Sequence, residues 1–220
     1  MKYELTQPKK QVFFFTTENR YDLCMLFLRY AEFYESPNPE FKGKLFTLVD
    51  FMEWYSKEYG DGAFTYPNDW SGFNIPGKVI KTIMEQGGFP EKNKYDVIFA
   101  EVIDKILETG CGWDFYLISG ITGQEKTKEH ELAHAFWFLD RKYQKEMSSL
   151  VTKIQSKTFE KLQDTLLEDG YCTDVIYDEI QAYLATGLSD TIKKSVGAFG
   201  IKKLRAPFVK VFQDKLASAT

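Results

Sequence analysis

Apolar positions recur with a helical period along most of this 220-residue chain, and two short β-rich runs interrupt it. In residues 19–34, Leu23, Leu26, Phe27, Tyr30 and Tyr34 fall on one face, with Asn19 and Asp22 placed to cap the start, which predicts a first helix. Residues 46–59, closed by Gly60, predict a second. Residues 60–77 scatter Gly, Pro, Asn and Asp among Phe64, Tyr66, Trp70 and Phe73 and read as a long structured loop. A helix then follows Pro76 and stops near Gly87 and Gly88, and another covers residues 94–109, where Phe99, Val102, Ile103 and Ile106 form one apolar stripe.

The aromatic, glycine-bounded run 113–118 predicts the strongest strand, and residues 11–17 the second. Thr122-Gly-Gln-Glu125 has the spacing of a capping box and opens a long helix. Its inner side continues through Phe136, Leu139 and Tyr143 to residue 147 or beyond. Helices around 159–167 and 175–186 follow, the latter opened by Thr173 or Asp174 and closed by Gly187. After a stretch of small residues, 207–216 predicts a terminal amphipathic helix starting at Pro207. Together these elements predict an α+β, mostly helical fold, a single domain over residues 1–220 with a mostly helical upper part (1–110) and a strand, the histidine helix and the helix of the later glutamate in 111–220.

Composition narrows the function. The net charge of −4 is spread over 28 basic and 32 acidic residues without the basic stripe that phosphate neutralisation needs, so nucleic acid is not an expected partner. Neither a membrane-spanning run nor a signal-peptide core occurs, the apolar stretch 12–15 being too short, and membrane association is not expected. Three widely spaced cysteines, Cys24, Cys111 and Cys172, fit reduced thiols and a cytoplasmic address better than a disulfide framework or a zinc–thiolate site. Aromatic residues make up 16% of the chain, enough to fill a core and still line a groove.

The only two histidines stand four residues apart with glutamate after the first, in His130-Glu131-Leu132-Ala133-His134. On a helix, residues i and i+4 share a face, so both imidazoles reach one metal while Glu131 holds the attacking water. A catalytic zinc takes three protein ligands and leaves a fourth position for water, so one ligand remains to be found. Asp140 occupies the place of the last ligand in H-E-x-x-H-x-x-G-x-x-H/D, but the glycine that bends that motif is Trp137 here, and an uninterrupted helix would carry Asp140 away. Glu179 is the better candidate, with Ala182 one turn later on the same face. Asp178 competes with it, since neighbouring carboxylates lie about 100° apart round a helix and only one is expected to point inward.

With these residues the chain resembles the gluzincin metallopeptidases, in which H-E-x-x-H on one helix is joined by a glutamate from a later helix, often within Glu-x-x-Ala. The His-Glu-Leu-Ala-His run and the Glu-x-x-Ala helix are also similar to those of compact regulatory peptidases that cleave bacterial repressors. The gluzincin resemblance implies a zincin-like fold with a small sheet beside the motif helix, zinc bound by His130, His134 and Glu179, and Glu131 as general base. It also implies that the strand 113–121 forms the cleft edge on which an extended polypeptide substrate pairs its backbone. Many members place an aspartate four residues after the ligand glutamate to orient a histidine. Here that residue is Tyr183, leaving Asp178 or a backbone carbonyl for the task. Tyr171, Tyr177 and Tyr183 are the candidates for oxyanion stabilisation. The expected activity is peptide-bond hydrolysis by zinc-activated water. The alternative is a catalytically inactive zincin-like domain that binds a protein partner, and a hydrolase acting on a non-peptide amide is a third possibility. Oligomeric state is not encoded in any of these features.

Overall fold

A computed structural model describes residues 1–197 and 201–218, and the chain is α+β, mostly helical, with one four-stranded mixed sheet. It divides into two compact units, Met1–Lys128 and Glu129–Thr220, the boundary falling inside the helix that carries the histidines.

The first unit contains, in order, β1 (Tyr3–Lys9), β2 (Val12–Thr17), α1 (Arg20–Glu35), α2 (Leu48–Glu58), α3 (Tyr66–Asp69), β3 (Gly72–Pro76), α4 (Gly77–Glu85), α5 (Lys94–Leu107) and β4 (Tyr116–Ile121). The spatial order is β1-β2-β4-β3, with β2 and β4 parallel at the centre and an antiparallel strand on each side. All of β2 and five of the six residues of β4 are buried, which is why both read as unbroken apolar runs rather than alternating ones. Their two neighbours escaped the sequence pattern for opposite reasons. β1 is polar and half-exposed, whereas β3 has only five residues inside a segment full of turn formers.

The expectation that the strand before the histidine helix offers a free edge is overturned. β4 spends its backbone groups on β2 and β3, so no substrate strand can add to it.

Phe13, Phe15, Phe73, Ile75 and Leu117 from the sheet meet α1, α4 and α5 in one core. Phe27 sits at its centre, stacked on Phe73 at 5.7 Å and edge-on to Phe15 and Phe99, both at 5.5 Å. Arg29 is buried on α1, pairs with Asp96 and donates to the Pro90 carbonyl at 2.8 Å, so its charge is neutralised and its donors are used. Asp96 in turn completes the capping box that opens α5 at Asn93. The aromatic residues of this unit are thus largely core, as their density demands.

The histidine helix is α6 (Glu125–Leu139), and it does not run on to residue 147. Asp140 is extended (φ −120°, ψ 102°), and its carboxylate accepts from the amides of Lys142 and Tyr143 at 2.8 and 3.2 Å, starting a separate α7 (Arg141–Val151). The apolar period continues across this break, which is why the pattern read as one helix. α8 (Ser156–Glu168) and a single 3-10 turn at Thr173–Val175 lead into α9 (Ile176–Thr186), followed by α10 (Asp190–Val196) and α11 (Ile201–Ser218). α10 was not expected, and α11 begins six residues before Pro207, which lies inside it. Residues 198–200 of the small-residue stretch lie outside the described residues.

Ile176, Glu179, Ile180, Gln181, Ala182, Leu184 and Ala185 of α9 are buried, and the helix packs on α7, α8 and α11. Phe136 joins this core through Tyr143 and Phe212, at 5.8 and 5.9 Å. No described helix of the chain is long and apolar enough to cross a membrane.

Candidate metal centre

One turn of α6 and the first turns of α9 bring His130, His134 and Glu179 to a common point within the second unit. The two Nε2 atoms are 3.2 Å apart, Glu179 Oε2 is 3.6 Å from His130 Nε2, and Glu179 Oε1 is 3.5 Å from His134 Nε2. His134 and Glu179 are buried, and the His130 side chain is 17% exposed. Among the described residues it is the only group of three or more His, Cys, Asp or Glu side chains that could hold a metal.

The outer nitrogens of both rings face acceptors. His134 Nδ1 lies 2.9 Å from Asp178 Oδ1. His130 Nδ1 lies 3.4 Å from Thr186 Oγ1, whose own proton is given to the Ala182 carbonyl at 2.7 Å, so the Thr186 oxygen accepts. The neutral rings therefore carry their protons on Nδ1 and turn their Nε2 lone pairs toward each other and toward a carboxylate.

Three electron-pair donors aimed at one point repel unless positive charge lies among them. Burial pushes the His134 imidazole down, but Asp178, Glu179 and Glu131 together raise it well above its ordinary pKa. A proton on His134 meets that need only in part, because Glu179 Oε2 is buried and has no hydrogen-bond partner. A zinc ion with bonds of about 2.0–2.1 Å in tetrahedral geometry sets its ligand atoms about 3.3–3.4 Å apart. The two Nε2 atoms, and each of them with the Glu179 oxygen nearest it, lie at about this spacing, and one ligand atom from each residue lies within 4.8 Å of the others, so the residues present fit the metal.

Glu131 follows His130 and is buried. Its charge is the smallest of the causes that raise His134, Tyr171 and Tyr183. The Tyr183 ring packs on His130 with centroids 4.6 Å apart, and its hydroxyl lies 2.9 Å from that of Tyr171. Burial first, and then the charge of Glu179, push both phenols above their ordinary pKa, so both stay protonated at neutral pH. Tyr177, the third candidate, is 39% exposed and packs on Phe159 instead.

One expectation needs correction. Asp178 and Glu179 do not exclude each other. His134 meets both, Glu179 at Nε2 and Asp178 at Nδ1, because an imidazole offers two nitrogens to two successive positions of a helix. Asp140, the weaker ligand candidate, is engaged in capping α7 and in an ion pair with Lys215 at 2.7 Å, which holds its carboxyl below the usual range.

Thr186 was missed, although it lies seven residues after Glu179 and so on the same helical face, a spacing that sequence alone displays. Gln181 and Tyr143 were missed as polar partners, since nothing in the pattern distinguishes a core tyrosine from one whose hydroxyl reaches a buried amide. No family model, curated protein or solved structure matches the chain, so the functional reading rests on the geometry of residues 130–134 and 178–186.

Proposed function

We propose that this chain is a zinc-dependent metallopeptidase of the gluzincin type, with a zincin-like arrangement in which His130, His134 and Glu179 hold the metal and Glu131 is the general base. The observation that carries this reading is the convergence of two Nε2 atoms 3.2 Å apart on the buried Glu179 carboxylate, whose otherwise unpartnered Oε2 lies 3.6 Å from His130 Nε2 and whose Oε1 lies 3.5 Å from His134 Nε2. Bound there, zinc would supply Lewis acidity, acidifying water and polarising a carbonyl. Asp178 and Thr186 fix the two rings with Nδ1 protonated, so that Nε2 is always the ligating atom. Glu131 takes the proton of the attacking water and returns it to the leaving amine nitrogen. The Tyr171 and Tyr183 hydroxyls, kept protonated, are the donors available to a developing oxyanion. A polypeptide is the substrate class this chemistry serves.

Elemental analysis of purified protein tests the ligand set, and a peptide-library digest tests the reaction. One zinc per chain in the wild type, lost in Glu179→Ala and kept in Glu131→Gln, together with cleavage by the wild type but not by Glu131→Gln, is the expected result. Zinc that remains in Glu179→Ala would overturn the ligand assignment. Zinc bound without cleavage of any peptide would favour a binding module that keeps the metal centre without the reaction.

A further inference from the structure

Behind Asp178 the polar contacts continue inward. Gln181 Nε2 donates to Asp178 Oδ1 at 2.9 Å, the same oxygen that faces His134 Nδ1, and Tyr143 Oη donates to Gln181 Oε1 at 2.9 Å. Gln181 is fully buried, and Tyr143 and His134 are nearly so. A glutamine inside an apolar core is costly unless all its groups are used, and an apolar residue would pack here at no such cost. Its presence therefore calls for an explanation that packing does not provide.

The polarity of the chain is set from both ends. If the Gln181 amide were turned round, its carbonyl would face the Asp178 carboxylate, two acceptors at hydrogen-bond distance, so the amide must present its N–H₂ to Asp178. Its carbonyl then faces Tyr143, which can only donate. Burial raises the Tyr143 phenol well above its ordinary pKa, and the Asp178 charge adds to this, so the proton it donates is retained. Asp178 Oδ1, oriented by Gln181, accepts from His134 Nδ1, which leaves Nε2 as the lone-pair side.

We infer that Gln181 and Tyr143 are positioning residues for the proposed metal centre: the chain Tyr143–Gln181–Asp178–His134 locks the rotamer of Asp178 and, through it, the ring orientation and tautomer of His134. This rests on the reading of residues 130, 134 and 179 as metal ligands. Tyr143 is anchored in the α7 core through its ring, which packs on Phe136 of α6, so the chain ties the first turn of α9 to both α6 and α7. Outer-shell partners of this kind set metal affinity by tenfold or more without touching the metal.

The test uses the full chain and zinc itself. Zinc dissociation constants, measured by chelator competition, and the ligand-field absorption bands of the cobalt(II)-substituted protein are compared among wild type, Gln181→Met and Tyr143→Phe, with the thermal midpoint of each metal-free protein as a control. Gln181→Met keeps the volume and the apolar packing, and Tyr143→Phe removes one hydroxyl, so at least one of the two should fold. The expected result is one zinc per chain throughout, affinity weakened about tenfold in Gln181→Met and by a smaller factor in Tyr143→Phe, and shifted cobalt bands. Variants with lower midpoints but unchanged zinc affinity and cobalt bands would show a merely structural glutamine and overturn the inference while leaving the metal centre standing. A wild type that takes up no zinc would bring down both.

Discussion

Glu32 should make the stability of the first unit fall as pH rises through neutrality. It lies on the buried face of α1, and its Oε2 atom has no hydrogen-bond partner. Burial lifts its carboxyl from the ordinary 4.5 to about 7, against the partial relief given by hydrogen bonds with Ser36 and Tyr66. The groups facing it do not change charge in the same range. Tyr66, Tyr55 and Tyr59 are raised further by burial and by Glu32 itself, and Cys24, beside Tyr66, is pushed up to about 12.

The folded chain therefore holds a proton on Glu32 that the unfolded chain has released. Between about pH 4.5 and pH 7 the native state binds more protons, the slope of unfolding free energy against pH is negative, and the loss is complete above pH 7. A carboxyl raised over that interval accounts for about 3 kcal/mol. Glu32→Gln keeps the shape and the neutral hydrogen bonds but cannot ionise. Urea unfolding of both proteins at pH 5 and pH 8, with chelator present throughout, should show near-equal stability at pH 5 and a variant more stable by about 3 kcal/mol at pH 8. Equal pH dependence in the two proteins, or a Glu32 carboxyl resonance that titrates near 4.5, would refute the reasoning.

Two further outcomes follow from particular contacts. Asp140→Ala removes the cap of α7 and the partner of Lys215, which should lower stability by about 1 kcal/mol in the same urea assay while zinc content stays unchanged. Loss of zinc in that variant would reinstate Asp140 as a ligand. Gly77→Ala would set a Cβ 2.7 Å from both the Phe115 ring and the Trp113 carbonyl oxygen, so thermal unfolding should show a destabilisation of about 1–3 kcal/mol, and an unchanged midpoint would mean that this loop yields freely.

The elements legible in the sequence are those whose burial is one-sided and periodic or complete and apolar. α5 shows its stripe and cap, α1 shows its cap and an apolar stretch that is buried all round from Leu23 to Phe33, and β2 and β4 show largely apolar runs because both their faces are covered. What escaped was either too short to display a period, as with β3 and α10, or too polar, as with β1. The break at Asp140 was hidden because capping is local and hydrogen-bonded, whereas the apolar period averages across it. Of the cluster, the two histidines were legible from their spacing, and Glu179 was legible as a candidate beside Asp178. The polar groups behind them were not, since a threonine, a glutamine and a tyrosine carry no pattern until a fold tells which atoms they face.

The neighbouring acids Asp178 and Glu179 show how helix geometry serves two tasks at once. Successive side chains diverge by about 100°, which argues against two residues reaching one target but suits two residues reaching opposite sides of a flat ring. His134 is such a ring, and α9 meets it with its first turn, where two carboxylates are also favoured by the helix dipole. On the proposed reading, Asp178, 2.9 Å from His134 Nδ1 and one residue before Glu179, would do the orienting that the resembled peptidases assign to an aspartate four residues after it, which would release position 183 from that duty. Tyr183 stands there instead, its ring on His130 and its hydroxyl paired with Tyr171, both phenols within the field of Glu131. In the proposed centre, an orienting acid next to the ligand would let α9 place a hydroxyl donor where an acid four residues on would add a further negative charge beside Glu179.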